Sequence, residues 1–586
     1  MENERYRKQL LILTIICFLL IIGKLFQLQV VSGKRYFRLA EANRIRKIYT
    51  PAPRGKIFDR NNRILADSRP AFAISVVPSE MDSQTIKNLL TYAKIDDIRV
   101  KEWLSDLVYL RTPVKIKRNI DLNTVLKLEE NSKSLPGVSI EIEPIRIYPD
   151  GQVSAHILGY LSEITPEEVK KDTFYKPWHY IGRYGIESQY EKFLRGTEGI
   201  RYTEIDAAGR ELGPIPEKRE ILPVAGNDIY LTISYEIQNL AYQLVSKYNR
   251  AAVIGIDLKD GGVICLVSYP GFDPEMITQG LTSEDWQKLV NNKSSPLMNR
   301  ALMSAYPIGS TIKPLIALDA LESKIIEDNT RFSPCTGSFK YGDRTFKCWT
   351  THGSLNLTDA IIQSCNMYFY QLGLKIGLDK ITSYLIEWGI EEKTGIDLSP
   401  ERIGNVPTRI WLDKRYGKNR WTKGILPNLA IGQGEILVTP MQLAMVYAAI
   451  AGNGEFYTPH LMKMIKNGNK IVEVYKPKNK KIVIFPENIK IIKNALRRVV
   501  QYGTGGGAYL EGIAIAGKTG TAENPPNPDH AWFVGYAPAE EPEVVFCVIV
   551  ENVGKGGAIS APIVRELIRK YYELKNPVAT VLDTLK

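Results

Sequence analysis

A serine three residues ahead of a lysine is the first arrangement in this chain that could do covalent chemistry. Ser310-Thr311-Ile312-Lys313 is the only S-x-x-K, set between NRALMSAYPIG and the apolar helical run PLIALDAL. On the first turn of a helix, positions i and i+3 share a face, so the Lys313 amine would reach the Ser310 hydroxyl. A buried amine beside another cation titrates low and can act as a base, which makes Ser310 a candidate acyl-transfer nucleophile. Two companions follow. S-x-N occurs as Ser354-Leu355-Asn356 and as Ser364-Cys365-Asn366. The second lies in helical, aromatic DAIIQSCNMYFYQL, where a hydroxyl and an amide would be held rigidly; the first reads as a helix N-cap region. K-T-G occurs as Lys393-Thr394-Gly395, in a connection, and as Lys518-Thr519-Gly520, in strand-like AIAGKTGTAE. From a strand edge, Lys518 and Thr519 could hold a carboxylate while an extended peptide adds beside them, with Gly520 leaving room for its backbone.

A second cluster has metal-ligand character. Cys335, Cys348, His352 and Cys365 read C-x12-C-x3-H-x12-C. Three thiolates and an imidazole suit tetrahedral zinc, although the spacing is not that of a zinc finger. A Cys335–Cys348 disulfide or unlinked thiols fit the same residues. Cys17 falls in an apolar run near the N-terminus, and Cys265 and Cys547 fall in strands, where a buried thiol is the simpler reading.

The elements that must position these residues begin at the N-terminus. Leu10 to Gly23 carries no charge, and the run reaches 22 residues when extended to Val31. That is enough for one membrane span, and no small-x-small site follows it, which favours an anchor over a cleaved signal peptide. No later stretch is long and apolar enough to span. The 586 residues carry a net charge of +12, and residues 34–63 hold ten Lys or Arg against Glu41 and Asp59. Counted locally, the charges place the body of the protein on the cytoplasmic side. No nucleic-acid-binding motif accompanies them, so a nucleic-acid partner is not expected. Residues 32–63 read as a basic, extended linker with a tight turn at Asn61-Asn62. Residues 70–225 alternate short strands and helices. From 226 on, strands, a helical middle and a return to strands before a closing helix imply an antiparallel sheet flanked by helices. The fold class is α+β. The divisions are a tail (1–9), an anchor (10–31), a membrane-proximal pedestal (32–225), a catalytic domain (226–575) and a C-terminal tail (576–586).

The three motifs, in this order, are the active-site set shared by penicillin-binding proteins and class A β-lactamases. The chain resembles the class B penicillin-binding proteins, most of all their elongation-specific group. RGKIFDRNNRILA is similar to that family's RGxIxDRNGxxLA, with Asn62 where glycine is usual. RIYPDGQVSAHILGY, GRYGIESQYEKFLRGTEG, YPIGSTIKP, TGIDL, AIGQGEILVTPMQLA and AGKTGTA also match family blocks. The resemblance implies D,D-transpeptidation of peptidoglycan stem peptides, a D,D-carboxypeptidase side activity and acylation by β-lactams. It assigns Ser310 as nucleophile, Lys313 as base, Ser364 as proton relay and Asn366 as amide holder. Lys518 and Thr519 would bind the terminal carboxylate, and the N–H groups of Ser310 and Thr521 would form the oxyanion hole. No cofactor is needed for that chemistry, while zinc at the Cys/His cluster would be structural. The implied partners are a SEDS-family glycosyltransferase, RodA, and other elongation-complex proteins. The implied location is the bacterial inner membrane with the catalytic domain on the periplasmic side. Because the substrate exists only there, this chemistry outweighs the local charge count, and the basic stretch would meet anionic headgroups or a partner's outer loops. A β-lactamase is excluded by length and by the lack of E-x-x-L-N, and a bifunctional synthase by the lack of E-D-x-x-F. The alternatives are a division-specific transpeptidase, against which the Cys/His cluster argues, and a catalytically silent scaffold.

Overall fold

The computed structural model describes residues 2–36, 45–95, 113–172, 174–176, 179–205, 211–216, 218–418 and 420–576. The chain folds as two compact units. One holds residues 1–54, 68–145 and 195–226; the other holds 55–67, 146–194 and 227–586. The pedestal expected over 32–225 is therefore not one body.

In the first unit, helix α1 (Glu2–Phe26) continues into a π-helical turn at Gln27–Val31. It begins within the stretch read as a tail, and Glu4–Val31 is long and apolar enough to cross a membrane. The linker expectation is corrected at Ile45–Thr50, a strand paired antiparallel with Gly199–Ile205. β-Branched Ile and Thr with Tyr49 suit a paired strand. Arg44 and residues 577–586 lie outside the described residues. A small core of Ile74, Val76, Leu89, Leu128 and Leu135 holds this unit together. Its helices Ser83–Tyr92 and Leu122–Glu130 start where Asp82 and Asp121 accept from the backbone N–H of Thr85 and Thr124. Each cap satisfies a donor that the helix itself leaves open.

The second unit is built on a five-stranded antiparallel sheet. Its strands are β1 (Ala251–Asp257), β2 (Val263–Tyr269), β3 (Ala516–Asn524), β4 (Asn527–Ala537) and β5 (Val544–Val550). Their order is β2-β1-β5-β4-β3, which leaves β3 at an edge. β1 and β2 join at the Asp260-Gly261-Gly262 turn, as its sequence predicts, with Gly261 at φ 82°. Both faces of the sheet are covered, so strands such as VVFCVIV are continuously apolar rather than alternating. Val545, Cys547 and Ile549 enter one core; Val544, Phe546, Val548 and Val550 enter the other. The second face is covered by α2 (Tyr235–Val245) and by the closing helix α6 (Gly556–Lys575), through Ile563, Val564, Leu567 and Tyr571. The first face carries α5 (Pro440–Ala451), buried along its whole length, and the core on that side also takes in α3 (Lys313–Glu322) and α4 (Asn366–Ile376).

Buried polar contacts tie residues 55–67 and 146–194 to this unit. Asp59 is fully buried; its Oδ1 accepts from the N–H of Asn61 and Arg63, and its Oδ2 from the N–H of Tyr235. Asn62 closes that turn at φ 67°, a left-handed conformation Asn tolerates, which explains its standing where glycine is usual. Arg146 and Glu187 form a buried ion pair at 2.6 Å, and Arg146 also donates to the Gly55 carbonyl. Glu187→Ala would leave the guanidinium buried and unpaired, so it is expected to cost about 3–5 kcal/mol of stability. Urea denaturation of wild type and variant checks this, and a loss under about 1 kcal/mol would contradict it.

Candidate active site

The nucleophile candidate sits on a tight turn. Gly309–Ile312 is a 3-10 turn, and α3 begins only at Lys313. Expectation had placed Ser310 in the first α-helical turn. In a 3-10 turn residues i and i+3 eclipse, so Lys313 still lies over Ser310. Gly309 has φ 58°, and a Cβ there would sit 2.8 Å from the Thr521 carbonyl oxygen. Only glycine lets this turn lie against β3. Tyr447 on α5 donates to the Thr311 carbonyl at 2.8 Å, and Trp532 on β4 donates to the Pro307 carbonyl at 3.0 Å.

Lys313 is fully buried. Its Nζ donates to the Ser364 carbonyl (2.8 Å), Ser364 Oγ (3.3 Å) and Asn366 Oδ1 (2.7 Å). Among the described residues no hydrogen bond joins it to Ser310 Oγ, the partner expected from spacing. The half-buried Ser310 side chain is still one turn away on the same face. Ser364 adopts φ 53°, rare for a residue with a Cβ, and this conformation turns both its oxygens toward the lysine. Lys518, also fully buried, donates to Ser364 Oγ at 3.0 Å and to the Thr519 carbonyl at 3.1 Å. Ser364 Oγ thus lies between two amines. Burial pushes Lys313 down to about 7, against the pull of the Cys348 and Cys365 thiols. Burial, with Lys313 as a second cation, takes Lys518 well below the ordinary lysine value. Both effects disfavour charge on the amines and leave a base ready at neutral pH.

Thr519 and Thr504 hydroxyls meet at 2.9 Å, with Lys518 Nζ 3.4 Å from Thr519 Oγ1. A lysine Nζ beside two hydroxyls presents N–H and O–H donors to a carboxylate. Thr504 was not singled out in the sequence; its only signal is the glycine-rich TGGGA that carries it. Gly520 does not open the space for a substrate that its place in K-T-G suggests. A Cβ there would lie 2.9 Å from Thr311 Cγ2 and 3.0 Å from Trp532 Cβ, so the glycine makes room for the protein's own side chains rather than for a substrate backbone. The other motif copies are elsewhere in use. Asn356 caps the helix Leu357–Ile362, and Thr394 bonds Glu401.

The four candidate metal ligands converge, their donor atoms all within 4.8 Å of one another. His352 Nδ1 is 3.5 Å from both Cys335 Sγ and Cys348 Sγ. In a tetrahedral zinc site neighbouring ligand atoms are about 3.5–3.8 Å apart, so the donor set fits that ion. All six cysteines are free, which is not the disulfide alternative. The convergence comes from a hairpin not foreseen in the sequence, Ser338–Tyr341 with Arg344–Lys347, turning at Gly342-Asp343. It returns Cys348 beside Cys335. Gly342, at φ 57°, was the available signal. The backbone N–H of Asn366 donates to Cys348 Sγ at 3.2 Å, which ties the cluster to the S-x-N segment.

Comparison with known proteins agrees with this architecture. Residues 251–569 match the penicillin binding protein transpeptidase domain, and residues 49–231 match the penicillin-binding protein dimerisation domain. The chain belongs to the class B penicillin-binding protein family, the peptidoglycan D,D-transpeptidases. It is 34% identical to the peptidoglycan D,D-transpeptidase MrdA of Acinetobacter baumannii, over 98% of this chain and 89% of that one. Among solved structures it is similar to the penicillin-binding protein PBP2 of Helicobacter pylori in complex with MreC. There the TM-score is 0.77 at 28% identity, covering 90% of this chain and 99% of that one. A structure describing the coordination of polymerization and crosslinking by a peptidoglycan synthase complex matches with a TM-score of 0.71 at 27% identity. It covers 96% of this chain and 97% of that chain.

Proposed function

We propose that this protein crosslinks stem peptides during cell-wall elongation through an acyl-enzyme on Ser310. The observation that carries the reading is the Lys313–Ser364–Lys518 hydrogen-bond chain beneath the Ser310 turn. Neutral Lys313 takes the proton of Ser310 Oγ as that oxygen attacks the carbonyl of the penultimate D-Ala. The N–H groups of Ser310 and Thr521 receive the oxyanion. The C–N bond breaks, Ser364 passes a proton to the departing amine and is re-protonated by Lys313, which thereby returns the proton it took from Ser310, and D-Ala leaves. Asn366 holds the substrate's amide, and Lys518, Thr519 and Thr504 hold its terminal carboxylate. An amine from a second stem peptide resolves the ester; water in its place gives the D,D-carboxypeptidase side reaction. Penicillin follows the first half of this path. Mass spectrometry after penicillin treatment is expected to find one adduct per chain, on the peptide containing Ser310. An adduct on any other residue overturns the assignment.

α1 serves as a single-pass anchor, with the catalytic domain on the periplasmic side, where stem peptides are found. The Helicobacter pylori relative's complex with MreC supports an MreC-type partner, and the peptidoglycan synthase complex supports a polymerising partner, which we propose is a SEDS-family glycosyltransferase, RodA. Cys335, Cys348, His352 and Cys365 hold a structural zinc ion, which would fix the hairpin against the S-x-N segment and takes no part in acyl transfer.

A further inference from the structure

The loop around Gly432-Gln433 touches both halves of the oxyanion site. The Gly432 carbonyl accepts from the Gly309 N–H at 2.8 Å, one residue before the nucleophile. Gly432 has φ 73°, and a Cβ there would lie 2.3 Å from the Gly309 carbonyl oxygen, so nothing but glycine fits. The next side chain crosses to β3. Gln433 Nε2 donates to the Thr521 carbonyl at 3.0 Å, and Gln433 Oε1 accepts from the Glu523 N–H at 3.3 Å. Only this orientation of the amide pairs a donor with each acceptor; reversing it would set oxygen against oxygen and N–H against N–H.

These two bonds are the ones a neighbouring strand would make. β3 is an edge strand, and Gln433 supplies a one-residue imitation of the missing partner at its far end. In an antiparallel strand the N–H and C=O of one residue point the same way. Holding the Thr521 carbonyl therefore holds the direction of the Thr521 N–H. The same loop fixes Gly309 and, through it, the turn that aims the Ser310 N–H.

We infer that Gln433 is a positioning residue for acyl transfer. Its amide sets the Thr521 N–H against the Ser310 N–H so that both point at one oxyanion. It also closes the edge of β3 beyond Thr521, so that an extended donor peptide pairs no further along the strand. This rests on the reading of Ser310 and Thr521 given above. The Thr521 carbonyl keeps a second lone pair, so the glutamine bond and a substrate N–H can coexist.

The test uses the full-length protein in detergent with fluorescent penicillin, measuring acylation rate against penicillin concentration and pH. Gln433→Met keeps length and bulk but makes neither bond. Gln433→Glu keeps the acceptor for Glu523 and loses the donor to Thr521. Loss of an oxyanion donor costs about 100- to 1000-fold, and misaiming one costs less. Both variants are therefore expected to lower the limiting acylation rate by roughly 10- to 100-fold. The half-saturating penicillin concentration should change by less than about 3-fold, and the pH midpoint should stay with wild type, because Lys313 is untouched. Thermal melting within a few degrees of wild type shows that the fold is retained. Limiting rates within about 3-fold of wild type in either folded variant overturn the inference, and so does a loss confined to half-saturation. Ser310→Ala run in parallel separates the two readings. If it still labels, the nucleophile assignment has failed. If it does not label while the Gln433 variants react normally, only the Gln433 inference has failed.

Discussion

Ser310→Ala is expected to abolish covalent penicillin labelling, and Lys313→Met to slow it by about 100- to 10,000-fold, the usual worth of a positioned general base. Methionine matches lysine in length and suits a buried site, so the α3 core should survive. The pH dependence follows from the burial of Lys313. Its amine is neutral above a midpoint of about 7 and protonated below it. Only the neutral form accepts the Ser310 proton, so acylation should be slow at about pH 6, rise through about 7 and level off above. The rising limb should vanish in Lys313→Met, leaving a low, flat rate. A wild-type profile that is already flat across this range would show that another group is the base. Labelling of Ser310→Ala would remove the nucleophile itself. Because Ser364 Oγ bonds both lysines, Ser364→Ala tests the relay separately: it should slow acylation while keeping the midpoint near that of wild type.

Protein purified without chelator is expected to hold about one zinc per chain, and Cys348→Ala is expected to lose it. The consequences should reach the active site through two links. Cys348 Sγ accepts from the Asn366 N–H, and Cys365 sits between Ser364 and Asn366 in the chain. Groups that orient active-site residues from one shell away are worth about 10- to 100-fold, so acylation should fall by about 10-fold or more in Cys348→Ala. Chelator should lower the melting temperature of wild type and leave that of the variant unchanged, since the variant has no ion to lose. Elemental analysis showing no zinc in unchelated wild type would remove the metal. The thiol cluster would then stand as a hydrogen-bonded brace only.

Much of the site was legible because its chemistry depends on short-range order. S-x-x-K works at any site where a helical turn sets i beside i+3, and Ser310 and Lys313 are so placed although the turn is 3-10 rather than α. K-T-G was readable as a strand because AIAGKTGTAE is followed by two more strands. The choice between paired copies rests on local context, and the copies set aside are engaged elsewhere: Asn356 is a cap and Thr394 is tied to Glu401. What escaped was set by contacts distant in the chain. Gly520 reads as space for a substrate until Thr311 and Trp532 are seen to fill that space. The Ser338–Lys347 hairpin has strands of only four residues; SFKY alternates, but its partner RTFK carries a single apolar residue, so the pattern is too short to announce a pair of strands. Gln433 stood inside a recognised block, but a polar side chain whose partners lie 88 and 90 residues away leaves no periodic trace.

The sequence by itself determined the apolar N-terminal helix long enough to span a membrane, the α+β class, the family, the order of the three motifs and which four thiol and imidazole groups converge. Each follows from residue type and spacing within a few turns of chain. Tertiary structure alone decided three things. It set the low titration of Lys313 and Lys518, because burial removes the water that would stabilise their charge. It joined 55–67 and 146–194 to the catalytic unit through buried Asp59 and the Arg146–Glu187 pair, whose unpaired charges would be too costly in any other arrangement. And it brought the Gly432-Gln433 loop onto the open edge of β3, where backbone groups without a strand partner must find one.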